Sequence, residues 1–264
     1  MRTQQQALAF AACAGLLACS GATFADTATE CTTDGFCYCI NPDLKAEIDH
    51  NVQAIRARIA DEKKKGKAIG YLSLPISTLA GSYIGINLRV AGEVKERVES
   101  SLGPHAAWIL NTAAKEVTLP AAAKGPDYML MWTRVLEGQD GLGEFDFVYF
   151  VGPSEFARHF GLNGHNDLEK LEAYYDSVVK SDSNLKNVDR RAFRDYYGLR
   201  ASVAFSFGSH DEWNIVRMIN ERRREKDSVE GITGQMGVFY DGKPVPPGLF
   251  ETSVSAGNAG ECKK

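Results

Sequence analysis

The sequence predicts an α/β fold, a parallel sheet with helices on its faces, carried behind an export leader and a cysteine-bearing front segment. Three observations point there. Strand-like and helix-like segments alternate between residues 68 and 153, the rhythm that right-handed crossovers wind into a parallel sheet. An apolar stretch at residues 7–18 follows a single charge, Arg2, and gives way to Ser20, Gly21 and Ala22, the anatomy of a secretory leader. The remaining cysteines sit near the two ends of the chain, where bonds could staple one end to the other.

The leader comprises residues 1–25: Thr23 and Ala25 put small side chains three and one positions before a cut ahead of Asp26. Leu16-Leu17-Ala18-Cys19 loosely resembles a lipobox, but Thr23-Phe24-Ala25 favours simple cleavage over a lipid anchor. Of six cysteines, Cys13 and Cys19 leave with the leader. Cys31, Cys37, Cys39 and Cys262 stay, an even number that suits an oxidising compartment. Their three connectivities remain open, except that a bond across the single residue between Cys37 and Cys39 would be strained. At least one bond is therefore expected to tie the front segment to Cys262. Zinc is a poor alternative for the Cys-x-Cys pair, since no histidine lies nearby and an exported chain does not keep free thiolates. A periplasmic or secreted protein is expected.

Cleavage leaves roughly 240 residues, enough for one substantial core, and a charge one unit more negative than the chain's −4. That balance points away from a nucleic-acid partner. No later apolar run reaches the ~20 residues that span a bilayer.

Residues 26–66 form the front segment. Leu44, Ile48, Val52, Ile55 and Ile59 make a helical stripe within it, and Lys63-Lys64-Lys65-Gly66-Lys67 reads as its solvated end. This helix is expected as an addition packed on the main domain, residues 67–264. There the first strand at residues 68–74 stops at Pro75. A helix follows with Ala91, Val94, Val98 and Leu102 at three- and four-residue steps, ended by Gly103 and Pro104. Residues 107–110 give a second strand, 127–137 a second helix, and 147–151 a third strand closed by Gly152-Pro153. Residues 154–200 then interrupt the alternation with two or three helices, including 167–180 and 189–199, as a lid or interaction surface. A long helix at 210–225 and a strand at 236–240, with the turn Asp241-Gly242, complete the chain. The whole reads as a Rossmann-like or flavodoxin-like parallel sheet, whose ligands belong beyond the strands' C-terminal ends, near residues 73–82, Asn111 and Pro153.

Three segments in this order carry a family resemblance. The first is Tyr71-Leu72-Ser73-Leu74-Pro75-Ile76-Ser77 with Ser82-Tyr83 and Asn87. The second is Asn111, then Asp127-Tyr128-Met129 and Phe145-Asp146-Phe147-Val148-Tyr149. The third is Ser206-Phe207-Gly208-Ser209-His210-Asp211-Glu212, a Ser-x-Gly-small-x-x-Glu pattern at a helix start. Together they resemble the nucleoside 2-deoxyribosyltransferase-like superfamily, in particular its small bacterial branch, over residues 68–153 and 204–240. The resemblance implies an N-glycosidic bond as target and a nucleoside- or nucleotide-like small molecule as ligand, with no cofactor. It casts Glu212 as nucleophile, Tyr71 as its orienting hydrogen-bond donor, and Ser73, Ser82 and Asp127 near the sugar or phosphate. Ser206, Gly208 and Ser209 would line the ligand from the helix start, where a glycine permits close backbone approach and free amides favour anions. Two features depart from the family: Ser206 stands where the transferases carry an aspartate, and residues 154–200 replace a short connection.

Simpler readings compete at each position. Asp211 and Glu212 could only complement the helix dipole, with Ser209 as N-cap. His159 and His165 read as solvated histidines rather than ligands. Trp132 and Tyr128 read as core, the tyrosines of the insertion as packing, and Arg222-Arg223-Arg224 as the solvated end of the long helix. A non-catalytic binding protein that keeps the fold is the rival function. No Gly-x-Ser-x-Gly elbow, Walker loop or dinucleotide glycine signature is present.

Overall fold

A computed structural model describes residues 27–76, 79–103, 105–230, 234–246 and 262. The leader at residues 1–25, together with Ser77 and Pro104, lies outside them. The chain opens on an antiparallel hairpin, β1 (Ala28–Cys31) and β2 (Cys37–Ile40), with Cys31 opposite Cys37. Alternate residues of a strand face one side, and in β2 these are Tyr38 and Ile40, both buried. Disulfides join Cys31 to Cys37 and Cys39 to Cys262. The second one ties the front segment to the tail.

The main sheet contains β3 (Ala68–Ser73), β4 (Ala107–Asn111), β5 (Phe147–Phe150), β6 (Gly237–Tyr240) and β7 (Lys243–Pro244) in the order β4-β3-β5-β6-β7. The first four are parallel; β7 turns back antiparallel through Asp241 and Gly242, both at positive φ. The sheet is thus mixed. β5 is buried at every position and β3 at all but its first, as strands covered on both faces must be.

The crossovers place the helices. α2 (Ile84–Leu102) links β3 to β4, whereas α3 (Gly125–Glu137) and α7 (Phe207–Glu230) link β4 to β5 and β5 to β6, winding the opposite way. Right-handed connections therefore put α3 and α7 on one face and α2 on the other, and α3 does pack on α7. α1 (Lys45–Lys64) buries Ile48, Val52, Ile55 and Ile59 against α3 and β3. It completes the covering layer of that face, more intimately than the added helix expected from sequence.

Between β5 and α7 lie α4 (Pro153–Phe160), α5 (Asp167–Val178) and α6 (Arg190–Leu199). α4 packs beside α2, and α5 and α6 pack on α4. Phe156, Phe160, Tyr174, Tyr175, Phe193 and Tyr197 form a continuous ring cluster there, so the tyrosines are packing groups. The inserted helices also grip the chain after β3: Tyr83 Oη donates to Asp182, and Tyr197 Oη donates to Asn87 Oδ1 at 2.8 Å. Gly81, at φ +93°, lies flush against the Ala192 carbonyl, with no room for a Cβ.

Three details differ from the sequence expectations. α7 starts at Phe207 and runs to Glu230, so Arg222-Arg223-Arg224 falls inside the helix. Arg223 is buried and donates to the carbonyls of Leu142, Gly143, Phe145 and Gly234; it holds the bend before β5, because those turn carbonyls have no ladder partners. His159 is not solvated either: its ring packs on Phe160 and Tyr174 while Nδ1 meets the Glu93 carboxylate at 3.0 Å. His165 is exposed.

Candidate functional site

Tyr71 and Ser73 are two residues apart on β3, so both side chains project from the same face of the sheet. α7 covers that face and brings Glu212, in its second turn, down onto them. Tyr71 Oη donates to Glu212 Oε1 at 2.6 Å and Ser73 Oγ donates to Oε2 at 2.5 Å. The two strongest residues of the sequence reading and one of its ligand-binding serines thus meet at one carboxylate. Ser73 ends β3, so the contact lies at the C-terminal edge of the central strand. There the sheet's winding reverses, since β3 has β4 on one side and β5 on the other.

Glu212 is only 6 % exposed, and Tyr71 and Ser73 are fully buried. Removing the carboxyl from water raises its pKa from 4.5 to about 7, against the pull of the Ser73 and Tyr71 hydroxyls and with a smaller push from Asp211. Tyr71 is driven well above its usual range by the same burial and by the Glu212 charge, so it stays a donor. Its ring is wedged edge-on between Phe145 and Trp132, centroids 5.3 and 6.2 Å away. Those contacts fix the hydroxyl. Trp132, read from sequence as core, is core that positions the site.

The other predicted residues are distributed differently. Ser206 caps α7: its Oγ accepts from Ser209 N at 3.4 Å and its carbonyl accepts from His210 N at 3.0 Å. The cap is therefore Ser206, not Ser209. Ser209 is buried and lines a small cavity of about 20 Å³ with Phe150, Val203 and Trp213, enough for one water. Gly208 faces Met129 of α3, whose sulfur would touch an added Cβ. Ser82 is buried and accepts from Asn87 Nδ2 at 3.0 Å, under the inserted helices. Asp127 is also buried, and both its oxygens are used locally: Oδ1 accepts from Asn41 N at 2.8 Å and Oδ2 from Lys124 N at 2.7 Å. It closes the first turn of α3 and fastens the front hairpin to it.

Tyr38 is a neighbour the sequence did not single out. Its hydroxyl lies 2.7 Å from Thr133 Oγ1, and because Thr133 donates to the Met129 carbonyl at 2.6 Å, Tyr38 must be the donor of the pair. Burial foremost, with the charges of Asp211, Glu137 and Glu212, holds its proton on. The signal in the sequence was its place between Cys37 and Cys39, on the inward face of a short strand. Among the described residues no group of three or more His, Cys, Asp or Glu side chains could hold a metal ion, and no helix is long and apolar enough to cross a membrane.

Chemically, the arrangement is a buried carboxyl poised to ionise near neutrality, with two hydroxyl donors and, among the described residues, no cation paired with it. Such a group can serve as nucleophile or as proton acceptor. Comparison with known proteins finds no matching family model, no matching curated protein and no matching solved structure.

Proposed function

We propose that this is an exported enzyme that cleaves or transfers at the N-glycosidic bond of a nucleoside- or nucleotide-like small molecule, with Glu212 as nucleophile. The observation that carries the reading is the Glu212 carboxyl held by Tyr71 and Ser73 at the edge of the central strand. A strand order in which the first strand of the sheet lies between the second and third is that of flavodoxin-like sheets, whose ligands bind at this edge. In the reaction, ionised Glu212 attacks the anomeric carbon, the bond to the nucleobase breaks with its electron pair passing to the base, and water or a second base then displaces the carboxylate. Tyr71 and Ser73 keep the attacking oxygens oriented. The two disulfides fit an oxidising, extracytoplasmic setting.

A second reading is favoured by the burial of Glu212: a non-catalytic binding protein in which the carboxyl organises the junction of β3 and α7. One assay separates them. The oxidised mature chain is incubated with a panel of nucleosides and nucleotides and released base is followed by chromatography. Release that disappears in Glu212→Gln is expected for the enzyme. Release that persists in that variant refutes the mechanism, and no release across the panel supports the binding protein.

A further inference from the structure

We infer that the groove along the free edge of β4 is a second ligand site, one that takes a small amphiphilic anion, an aromatic or aliphatic body bearing a carboxylate or similar head. Among the described residues β4 is one of the two edge strands of the main sheet, and a groove of about 420 Å³ runs between it, α1 and the helical turn at Lys115–Val117. That volume lies within the roughly 300–1,000 Å³ typical of small-molecule pockets. Ile55, Leu110 and Val117 supply an apolar floor. Trp108 stands in the wall with the Arg58 guanidinium and the Lys95 ammonium each 5.9 Å from its ring centroid.

The charges select the sign of the ligand. Arg58 and Lys95 line the groove, and Glu116 is the one carboxylate among its lining residues. Arg58 does contact Glu62, at 2.8 Å, but Glu62 also holds Lys65 and Lys67, which keeps that corner net cationic. Lys95 pairs with Glu99. An anionic head at the Trp108 rim would meet two cations, while its apolar body would cover indole and aliphatic floor. Asn51 and Asn111 add amides for orientation. Among the described residues the buried Asn51 Nδ2 donates to the Met131 sulfur, at 3.8 Å, a weak acceptor for which a ligand oxygen would be a better replacement. Strand addition by a peptide is disfavoured, because the Ile109 N–H already donates to Glu99 at 2.7 Å.

The test is calorimetric titration of the oxidised mature protein with three isosteric probes: 2-naphthylacetate, 2-naphthylacetamide and 2-(2-naphthyl)ethylammonium. The acetate is expected to bind at least tenfold more tightly than the amide, and the ammonium not to bind. Lys95→Gln, at the less exposed cation, should weaken the acetate about tenfold, and Arg58→Gln, at the more exposed one, about threefold, in line with the attenuation of exposed charges. Both should leave the amide unchanged. Glu212→Gln should leave all three unchanged, which separates this site from the one proposed above. Equal affinity for acetate and amide, no binding of the acetate, or acetate binding indifferent to both cation variants would each overturn the inference. Both substitutions are on the surface, and matching thermal unfolding curves would show that the variants fold.

Discussion

Glu212→Gln is the most informative perturbation, because the proposed mechanism predicts a loss of activity where the burial of the carboxyl predicts a gain of stability. Folding raises the Glu212 pKa from 4.5 to about 7, so the folded state binds the proton more tightly than the unfolded chain does. For a group raised on folding, stability is fully present below the unfolded pKa and is lost as pH rises through the folded one. The window for wild type is therefore about pH 4.5 to 7, and above it the buried charge withdraws on the order of 3 kcal/mol. Glutamine stands in for the protonated acid: one oxygen that accepts, an uncharged group that donates, and nearly the same volume. It suffers no such loss. The variant should match wild type within about 1 kcal/mol at pH 4.5 and exceed it by on the order of 3 kcal/mol at pH 8. Urea unfolding followed by tryptophan fluorescence at both pH values measures this. Part of the wild-type slope should survive in the variant, because burial also moves Glu137 to about 7. A variant as unstable relative to wild type at pH 8 as at pH 4.5 would refute the account of a buried, cation-free charge.

The remaining expectations touch the same architecture. Tyr71→Phe removes a donor that lowers the Glu212 pKa, so the acid limb of the pH–rate profile should move to higher pH. A fall in rate with no such displacement would make Tyr71 merely structural. Breaking Cys39–Cys262, with its sequence separation of 223, should cost about 5 kcal/mol in the chain-entropy account, against about 2 kcal/mol for the short Cys31–Cys37 loop. Denaturant midpoints of the two Cys→Ala pairs decide it, and an equal cost would mean that the tail is tethered by other contacts. Gly81→Ala forces a Cβ into the Ala192 carbonyl at a positive φ, which should undock the inserted helices. Limited proteolysis should then cut within 160–200 while the sheet persists; an unchanged digest would contradict the tight seam.

Where the sequence was legible, one period dominated. The stripe of α1 and the strand runs of β3 and β5 could be read because each buries a whole face, and the turn Asp241-Gly242 because its backbone needs positive φ. Only the family resemblance put Tyr71 beside Glu212, since 139 positions separate Ser73 from Glu212 and no local period links them. What remained hidden was pairing set by three-dimensional accident of the loops. Asp127 looked like a ligand group because an acidic residue at a helix start can serve either purpose; only the position of Asn41 shows that its oxygens are spent on the front hairpin. Arg223 looked solvated because its neighbours Arg222 and Arg224 share its charge, yet a helix turns each by about 100°: Arg223 is buried among the bend's carbonyls, Arg222 pairs with Asp34 beside Gly141, and Arg224 is exposed.

The surroundings of the carboxylates argue that Glu212 is more than structural filling. Three of the other buried carboxylates described have cations near them, while Asp127 accepts from two backbone N–H groups instead. Glu62 meets Arg58, Lys65 and Lys67, and its pKa falls to about 2. Glu155 meets Arg97 as well as the Tyr149 hydroxyl, and even Glu137 feels Arg134 and Arg56. Glu212 has only two hydroxyls on it, and its close charged neighbour, Asp211, is of the same sign. A group needed only for packing would be better served by glutamine or leucine, which carry no ionisation penalty. Keeping an acid there, at the strand edge and tuned toward neutrality, costs stability above about pH 7. Perturbed carboxyls of that kind concentrate where chemistry is done, and this is the reason the base-release assay is aimed at Glu212 first.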